Sequence, residues 1–485
     1  MALSTPIIVV GSGLAGLSAA AQLLAHQLPV RLLDRAAKPG GNSIKASSGI
    51  NAAPTRFQPS FGDNESGLDD AFLADTVLSA GLPLANATGD ERTRRDTLIT
   101  TLTESSSSAL YWLTDTIGVD LSTVAQLGGH SHPRTHRGPG KPPGAAIVST
   151  LLERLNADPL FTLQTGATVT RVKREADEVM GVEYTVDNGA DSEPKTETLN
   201  GPLVFAAGGF AGDSHGLLAK YRPDLAGLPS TNEARPGALP LLQEIGAGVL
   251  DLDRVQVHPT GFIDPTDRTA RGKILAAEML RGEGGILLLN GSRFVNELQT
   301  REYISNQIMA TPATENDSDD ATKQWDVTLV MDEGTAAATA SHMGFYKWKG
   351  LMRAVKAEDL DATTQDSIQT YADVVAGVLA DPHGRTAHGH WTLRQLTPDT
   401  TLYVGSVTPV VHFTMGGVAI DDHAAVLDAA GTPIHGLWAA GEITGGIHGQ
   451  NRLGGSSLLE CVVFGRRAGD AAAEFYRLHY LGESI

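Results

Sequence analysis

The chain has 485 residues, too many for one hydrophobic core, so two or more domains are expected. Hydrophobic residues make up 41% and charged residues 19%, an ordinary globular balance, and 37 basic against 56 acidic side chains give a net charge of −19, which sets nucleic-acid binding aside. The single cysteine, Cys461, excludes an internal disulfide, a cysteine-held iron–sulfur cluster and a c-type haem, and no apolar stretch approaches the ~20 residues of a membrane span.

In chain order, Met1 leads directly into a strand-like segment with no basic, cleavable leader, so a cytoplasmic protein is expected. Residues 6–10 are apolar and β-branched, the pattern of a buried parallel strand. Residues 14–26 are Ala-rich and predict a helix, and residues 30–33 predict a second strand ending at Asp34. This β-α-β unit opens a doubly wound fold. Residues 62–158 read as mostly helical around a loop at 128–144, and residues 160–184 alternate as a meander. A strand at 203–205 ends in Ala206-Ala207-Gly208-Gly209. The more polar stretch 246–405 predicts an inserted domain. After it the chain returns to strands and glycine-rich turns and closes on a helix at 457–476. The expected fold is therefore α/β: a Rossmann-like domain from 1–245 and 406–485, interrupted by an α+β capping domain at 246–405.

Gly11-Ser12-Gly13-Leu14-Ala15-Gly16 fits G-x-G-x-x-G between a strand and a helix. Gly11 permits the tight turn, Gly13 lets the backbone approach a pyrophosphate, and Gly16 allows close helix–strand packing. The helix N-terminus offers N–H groups and partial positive charge to phosphates. Asp34 stands where a carboxylate accepts from ribose hydroxyls. Four further segments select an extended flavin dinucleotide over a nicotinamide one. Gly40-Gly41-Asn42-Ser43 and Ser47-Ser48-Gly49-Ile50-Asn51 follow the second strand with small polar groups. Ala206–Gly209 and Trp438-Ala439-Ala440-Gly441-Glu442 end two later strands.

Seven segments in order (VVGSGLAGLSAA, GGNSIKASSGINA, VQVHPTGF, LAAEMLRGEGG, RFVNELQTRE, TPVVHFTMGGV and LWAAGEITGGIHGQNRLGGSSLLECVVFGRRAG) together resemble the flavoprotein family of fumarate reductases and succinate dehydrogenases. The resemblance spans essentially the whole chain and is greatest to its soluble, fungal-type branch. It implies FAD, and it implies a cofactor set of Gly11, Gly13, Leu14, Ala15, Gly16, Asp34, Arg35, Gly41, Asn42, Ser43, Ser48, Gly49, Ile50, Asn51, Val169, Ala206, Ala207, Gly208, Thr231, Asn232, Gly441, Glu442, Arg452, Ser457 and Leu458. It also implies reduction of fumarate to succinate. His258 with Ala277 and Glu278 would grip one carboxylate, and His412 with Arg452 the other. Hydride would come from flavin N5, Arg301 would protonate the opposite carbon, and Glu278 and Arg281 would relay protons from solvent. An arginine normally holds its proton above pH 12. The residues alone therefore make Arg301 an electrostatic clamp, and the acid role comes from the resemblance.

The chemistry is consistent with the residue types. An anionic protein acting on a dianion needs a local cluster of Arg and His, an arginine clamps a carboxylate through two N–H groups, and holding both ends orients the alkene. The sequence also departs from the family. Asn42-Ser43-Ile44-Lys45 holds no histidine where respiratory members attach the flavin, so FAD is expected to be non-covalent. Ala277 replaces a common threonine. Residues 231–238 lack the second half of a usual T-N-G…T-G-D-G loop. The His/Arg-rich run 129–137 is expected to form an electropositive loop beside the flavin or the substrate entrance, and no metal site is expected there or elsewhere. A monomer fed by an external reduced flavin or a separate reductase is expected, with no nucleic-acid or membrane partner. Alternatives are a related two-electron flavoenzyme, aspartate oxidase-like, succinate-oxidising or acting on another enoate, and a non-catalytic FAD-binding paralogue.

Overall fold

A computed structural model of the protein describes residues 5–59, 69–186, 195–314 and 322–483. The start of the expected helical stretch, 62–68, lies outside them. Ile7–Val10 is buried on both faces, as a strand covered by helices must be. It pairs in parallel with Val30–Leu33 on one side and Leu203–Phe205 on the other. Phe161–Gln164 extends the sheet beyond the first partner and Pro433–Ala439 beyond the second, again in parallel. Parallel registry brings the C-terminal ends of these strands to one edge. The segments starting at Gly11, Asp34, Ala206 and Ala440 therefore leave the sheet side by side, where ligands bind in open α/β sheets. Only part of the expected meander at 160–184 is one: Ala167–Glu175 and Glu178–Val186 are antiparallel and continue into Lys195–Asn200 at the far end of the same sheet, whereas Phe161–Gln164 is the parallel strand at the opposite edge.

Leu14–Ala25 packs against the last long helix, Ser456–Tyr476. The approach is close enough that a Cβ on Gly469 would sit 2.9 Å from the Ala19 carbonyl oxygen. This pairing of first and last helices closes the Rossmann-like unit around one continuous apolar core.

The stretch after residue 246 builds a second, antiparallel sheet. Its spine is the 14-residue strand Thr401–Thr414, paired with Val255–Phe262, Val327–Met331 and Arg353–Lys356. Ile286–Leu289 and Ser292–Arg293 complete it. The spine runs through position 405 and ends back at the first sheet, where the Thr414 N–H donates to Glu442 at 3.0 Å. All eight residues of Val255–Phe262 are buried, so polar side chains on that strand must find partners inside the protein.

The helices Phe72–Ala85, Gly89–Glu104, Ser106–Tyr111 and Pro143–Asn156 match the helical reading of their region. The expected loop at 128–144 contains a strand, Thr135–Arg137, which pairs with Ile50–Asn51 and Thr123–Ala125. Among the described residues no helix is long and apolar enough to cross a membrane.

Candidate active site

A cavity of about 1060 Å³ opens at the C-terminal edge of the parallel sheet. All of the residues expected to touch the cofactor line it except Gly16, Ile50 and Asn51. Gly16 instead lets the first helix lie on the preceding strand, since a Cβ there would overlap the Gly11 carbonyl. Ile50 is core. Asn51 donates to the Gly454 carbonyl at 2.7 Å and accepts from Thr135 Oγ1 at 2.6 Å, so it fastens the turn before the last helix.

The cavity suits a long, phosphate-bearing ligand. The first turn of Leu14–Ala25 brings the positive end of the helix to the wall, where the Leu14 N–H donates to Ser43 Oγ at 3.0 Å. A Cβ on Gly208 would meet nothing within 4 Å, and one on Gly13 would meet only Ser43 Oγ, at 3.5 Å. These glycines leave room beside the backbone for a ligand. Asp34 lies on the wall with its oxygens already engaged, accepting from the Ser12 N–H at 2.7 Å, from the Ser12 hydroxyl and from the Ala36 N–H at 2.7 Å. It therefore shapes the turn as well as facing the cavity. Glu442 also lines the wall, and burial pushes its carboxyl up to about 7.

At one end the cavity meets the second sheet, and here the polar cluster sits. Arg301, His412 and Arg452 line the wall. His258, Ala277, Glu278 and Arg281 do not line it; they are buried behind it. Arg301 begins the helix Arg301–Met309, whose N-cap is the Thr300 hydroxyl. Its Nε donates to Glu278 Oε2 at 2.7 Å, and its Nη2 makes a second, short bond to the same oxygen. The other Glu278 oxygen accepts from the Gly128 N–H at 3.1 Å and lies 3.8 Å from Arg281 Nη2. Burial alone would raise the Glu278 carboxyl; Arg301 and Arg281 outweigh it and hold it below its ordinary value. Arg281 donates through Nη1 to the Glu297 carbonyl at 2.7 Å, and its Nε and Nη2 have no hydrogen-bond partner among the described residues.

Gln256, which the motif reading did not single out, joins the cluster. Its Oε1 accepts from Arg301 Nη1 and from Arg452 Nη2, each at 2.9 Å. Its Nε2 donates to the Arg452 carbonyl at 2.7 Å. One amide thus fixes the spacing of two guanidinium groups. A glutamine two positions before a histidine in an otherwise apolar, fully buried strand was the signal available for it. Arg452 also lies over the Phe413 ring, 4.3 Å from its centroid. Burial lowers Arg452 to about 9 and Arg281 to about 10, with the Arg301 charge adding to the fall in both.

The two histidines meet edge to face, with ring centroids 5.4 Å apart. Burial first, then the neighbouring arginines, holds both far below the usual histidine value, so both are neutral at pH 7. His258 Nδ1 accepts from the Thr260 N–H at 3.2 Å, and its Nε2 is buried without a partner among the described residues. His412 Nδ1 lies 2.9 Å from Thr231 Oγ1. The Ala277 N–H donates to Tyr346 Oη at 3.2 Å, and that hydroxyl donates on to the Leu275 carbonyl at 3.0 Å.

The altered loop 231–238 is tied to the cavity rim. Asn232 donates to the His412 carbonyl at 2.9 Å, Glu233 pairs with Lys45 at 3.2 Å, and Arg35 donates to the Pro236 carbonyl at 2.6 Å. The His/Arg-rich run 129–137 is not the expected electropositive loop, and none of it lines the cavity. Arg134 is fully buried between Asp69 (2.7 Å) and Asp75 (2.5 Å), and Arg137 pairs with Glu283 at 2.6 Å. Buried cations demand such partners, and these come from residues too distant in sequence to be read with the run. Among the described residues no group of His, Cys, Asp and Glu could hold a metal ion.

A model of the family described as "FAD binding domain" matches residues 6–458. This chain belongs to that FAD-binding flavoprotein family. It is 41% identical to the fumarate reductase of Schizosaccharomyces pombe, over 99% of this chain and 92% of that one. It is 40% identical to fumarate reductase 1 of Saccharomyces cerevisiae, over 97% and 98%. The structure of the open conformation of a flavocytochrome c3 fumarate reductase aligns with a TM-score of 0.72 at 29% identity, covering 98% of this chain and 79% of that one. The protein is therefore an FAD-dependent oxidoreductase, and we propose the cavity as its FAD site.

Gly11 tests that site without touching the polar cluster. Its φ is +102°, and a Cβ there would lie 2.8 Å from the Ala206 carbonyl carbon. The strain of about 1–3 kcal/mol falls on the pyrophosphate turn. Gly11→Ala is expected to leave gel filtration with a flavin-to-protein absorbance ratio well below that of wild type. An unchanged ratio would place the dinucleotide elsewhere.

Proposed function

We propose that this protein reduces fumarate to succinate, with non-covalent FAD and with electrons delivered from outside the chain. The observation that carries the reading is the polar cluster at the cavity end. Arg281, Arg301 and Arg452 are gathered in a buried place where, among the described residues, Glu278 is the only carboxylate in ion-pair contact with any of them, while Glu442 and Glu460 act on Arg452 and Glu297 on Arg281 from farther off. A dicarboxylate dianion adds negative charge there, and the relatives named fumarate reductase are consistent with that choice.

In this reading Arg452 and the neutral His412 hold one carboxylate. The second lies toward His258, whose unpartnered Nε2 donates to it if the proton sits there, since Nδ1 is already an acceptor. The Ala277–Glu278 backbone closes this end. Clamping both ends fixes the alkene against the cavity wall, and the orientation term then falls on the reacting carbons. Bound FAD, once reduced, supplies the hydride to one alkene carbon. Arg301 delivers a proton to the other carbon, so two electrons and two hydrogens are added in all. Glu278, bonded to Arg301 Nε and Nη2, returns a proton to it, and Arg281 renews Glu278. The substituted position Ala277 offers no hydroxyl, so the load on that carboxylate passes to His258.

The non-covalent mode is supported by the lining of the cavity near the second strand, Asn42-Ser43-Ile44-Lys45, which has no histidine. The histidines elsewhere on the wall are engaged: His342 Nε2 lies 2.8 Å from the Ser47 carbonyl oxygen and His412 meets Thr231. A monomer in the cytoplasm, supplied by a diffusible reduced flavin or a separate reductase, completes the reading.

Purified enzyme with reduced methyl viologen as donor is expected to consume fumarate, and NADH alone is expected to support no efficient turnover. Arg301→Ala should retain FAD and lose nearly all activity; keeping more than about a tenth of it would remove the acid role, given the ~10²–10⁴-fold worth of a positioned acid. Acid precipitation should leave the yellow colour in the supernatant, and a yellow pellet would refute non-covalent binding. Arg452 must be charged to clamp a carboxylate, and its value is about 9. The clamp is thus present below pH 9 and lost above it, so kcat/KM should fall as pH rises through about 9. A profile that stays level to pH 10 would contradict the clamp.

A further inference from the structure

The segment RFVNELQTRE contains a buried acid that the mechanism does not use. Glu297 is 0% exposed and its carboxylate is saturated. It accepts from Arg293 Nε at 2.8 Å and Nη2 at 2.9 Å, from the Leu287 N–H at 3.2 Å, and from Arg385 Nη1 at 3.0 Å. Its backbone carbonyl is, among the described residues, the one hydrogen-bond partner of the Arg281 guanidinium, at 2.7 Å.

Arg385 comes from a distant stretch, 104 positions beyond Arg281, and is also buried. Its Nη2 donates to the Arg281 carbonyl at 2.7 Å and its Nη1 to the Gly285 carbonyl at 3.0 Å, besides the bond to Glu297. Only its Nε bond, to Ala387 at 2.8 Å, stays within its own stretch. The helix Met279–Gly282 is a single turn, and such a turn leaves its last carbonyls short of partners. Arg385 supplies one. A closed ring results. Arg385 holds the Arg281 backbone and the Glu297 carboxylate, and the Glu297 backbone holds the Arg281 side chain.

Arg293 and Asp381 brace the ring from outside. Arg293 Nη1 meets Asp381 Oδ2 at 2.5 Å, and Asp381 Oδ1 accepts the Arg385 N–H at 3.1 Å. Both guanidinium groups lie near the Tyr371 ring, Arg293 at 4.6 Å and Arg385 at 5.5 Å from its centroid. None of these residues lines the cavity. They act on what does, because the segment they lock runs from Glu278 and Arg281 at one end to Arg301 at the other.

We infer that Arg385 and Glu297 are positioning residues for proton delivery, setting the separation of Arg281 from Glu278 and so the supply to Arg301; this rests on the functional reading above. Four separate acceptors need the planar fork of a guanidinium, which a lysine cannot reproduce.

The test uses the FAD-loaded full chain with wild type, Arg385→Lys, Arg385→Ala and Glu297→Gln, and reads kcat, KM for fumarate, solvent deuterium isotope effect and flavin content. Arg385→Lys and Glu297→Gln are expected to keep FAD and KM while kcat falls about 10- to 100-fold, the cost of an ångström-scale misplacement. The isotope effect on kcat should rise as proton supply becomes limiting. Added guanidinium should restore turnover to Arg385→Ala, which a loss of general stability would not allow. An unchanged kcat, a rise in KM with kcat intact, or a kcat loss that only tracks flavin loss without guanidinium rescue would each overturn the inference. Wild type that turns over no fumarate would overturn the functional reading itself, a separate outcome read in the same assay.

Discussion

Positive charges gathered in a dry place repel one another, and most of this structure is arranged around holding three guanidiniums together. Arg281, Arg301 and Arg452 are each at most 5% exposed. At the spacing of a shared hydrogen-bond acceptor, two unit charges cost several kcal/mol against each other even in a moderately polarisable interior, ~4 kcal/mol at 4 Å. Glu278 offsets part of that repulsion, and Gln256 fixes the distance with a neutral oxygen. Removing either would leave buried donors unpaired. The cluster thus stores an unmet demand for negative charge at the end of the flavin cavity.

Three parts of the chain must converge to build it. The strand Val255–Phe262 brings Gln256 and His258, the turn at 278–281 brings Glu278 and Arg281, the helix start brings Arg301, and the glycine-rich run before the last helix brings Arg452. The first two belong to the second sheet's region and the third to the Rossmann-like unit. The site forms only where the two meet, and Thr401–Thr414 is the strand that joins them. The parallel sheet supplies the cofactor place at its C-terminal edge, and the second sheet supplies cations at one end of it.

What could be read in the sequence follows from locality. The turn Gly11–Gly16, the strand before it and the helix after it are set within a few residues, and the structure has them where they were expected. The last helix was equally plain, Ser456–Tyr476 against an expected 457–476. What could not be read depends on partners far apart in the chain. The run 129–137 looked electropositive because Asp69, Asp75 and Glu283, which neutralise it, come from elsewhere. Gln256 was not singled out because the two arginines it bridges lie 45 and 196 positions away. Arg385 and Glu297 carry no local pattern at all. The altered loop at 231–238 seemed a loss, yet Lys45, Arg35 and His412 hold it against the rim.

In the proposed function a two-ended dicarboxylate is held between cations and reduced there. Anaerobic stopped-flow of the photoreduced enzyme tests it without any electron donor. Mixing with fumarate should reoxidise the bound flavin in one fast phase, returning the oxidised flavin absorbance with one succinate formed per flavin. Acrylate and crotonate, which lack the second carboxylate, should do so far more slowly. Flavin that stays reduced with fumarate, or that is reoxidised as fast by the monocarboxylates, would contradict that function.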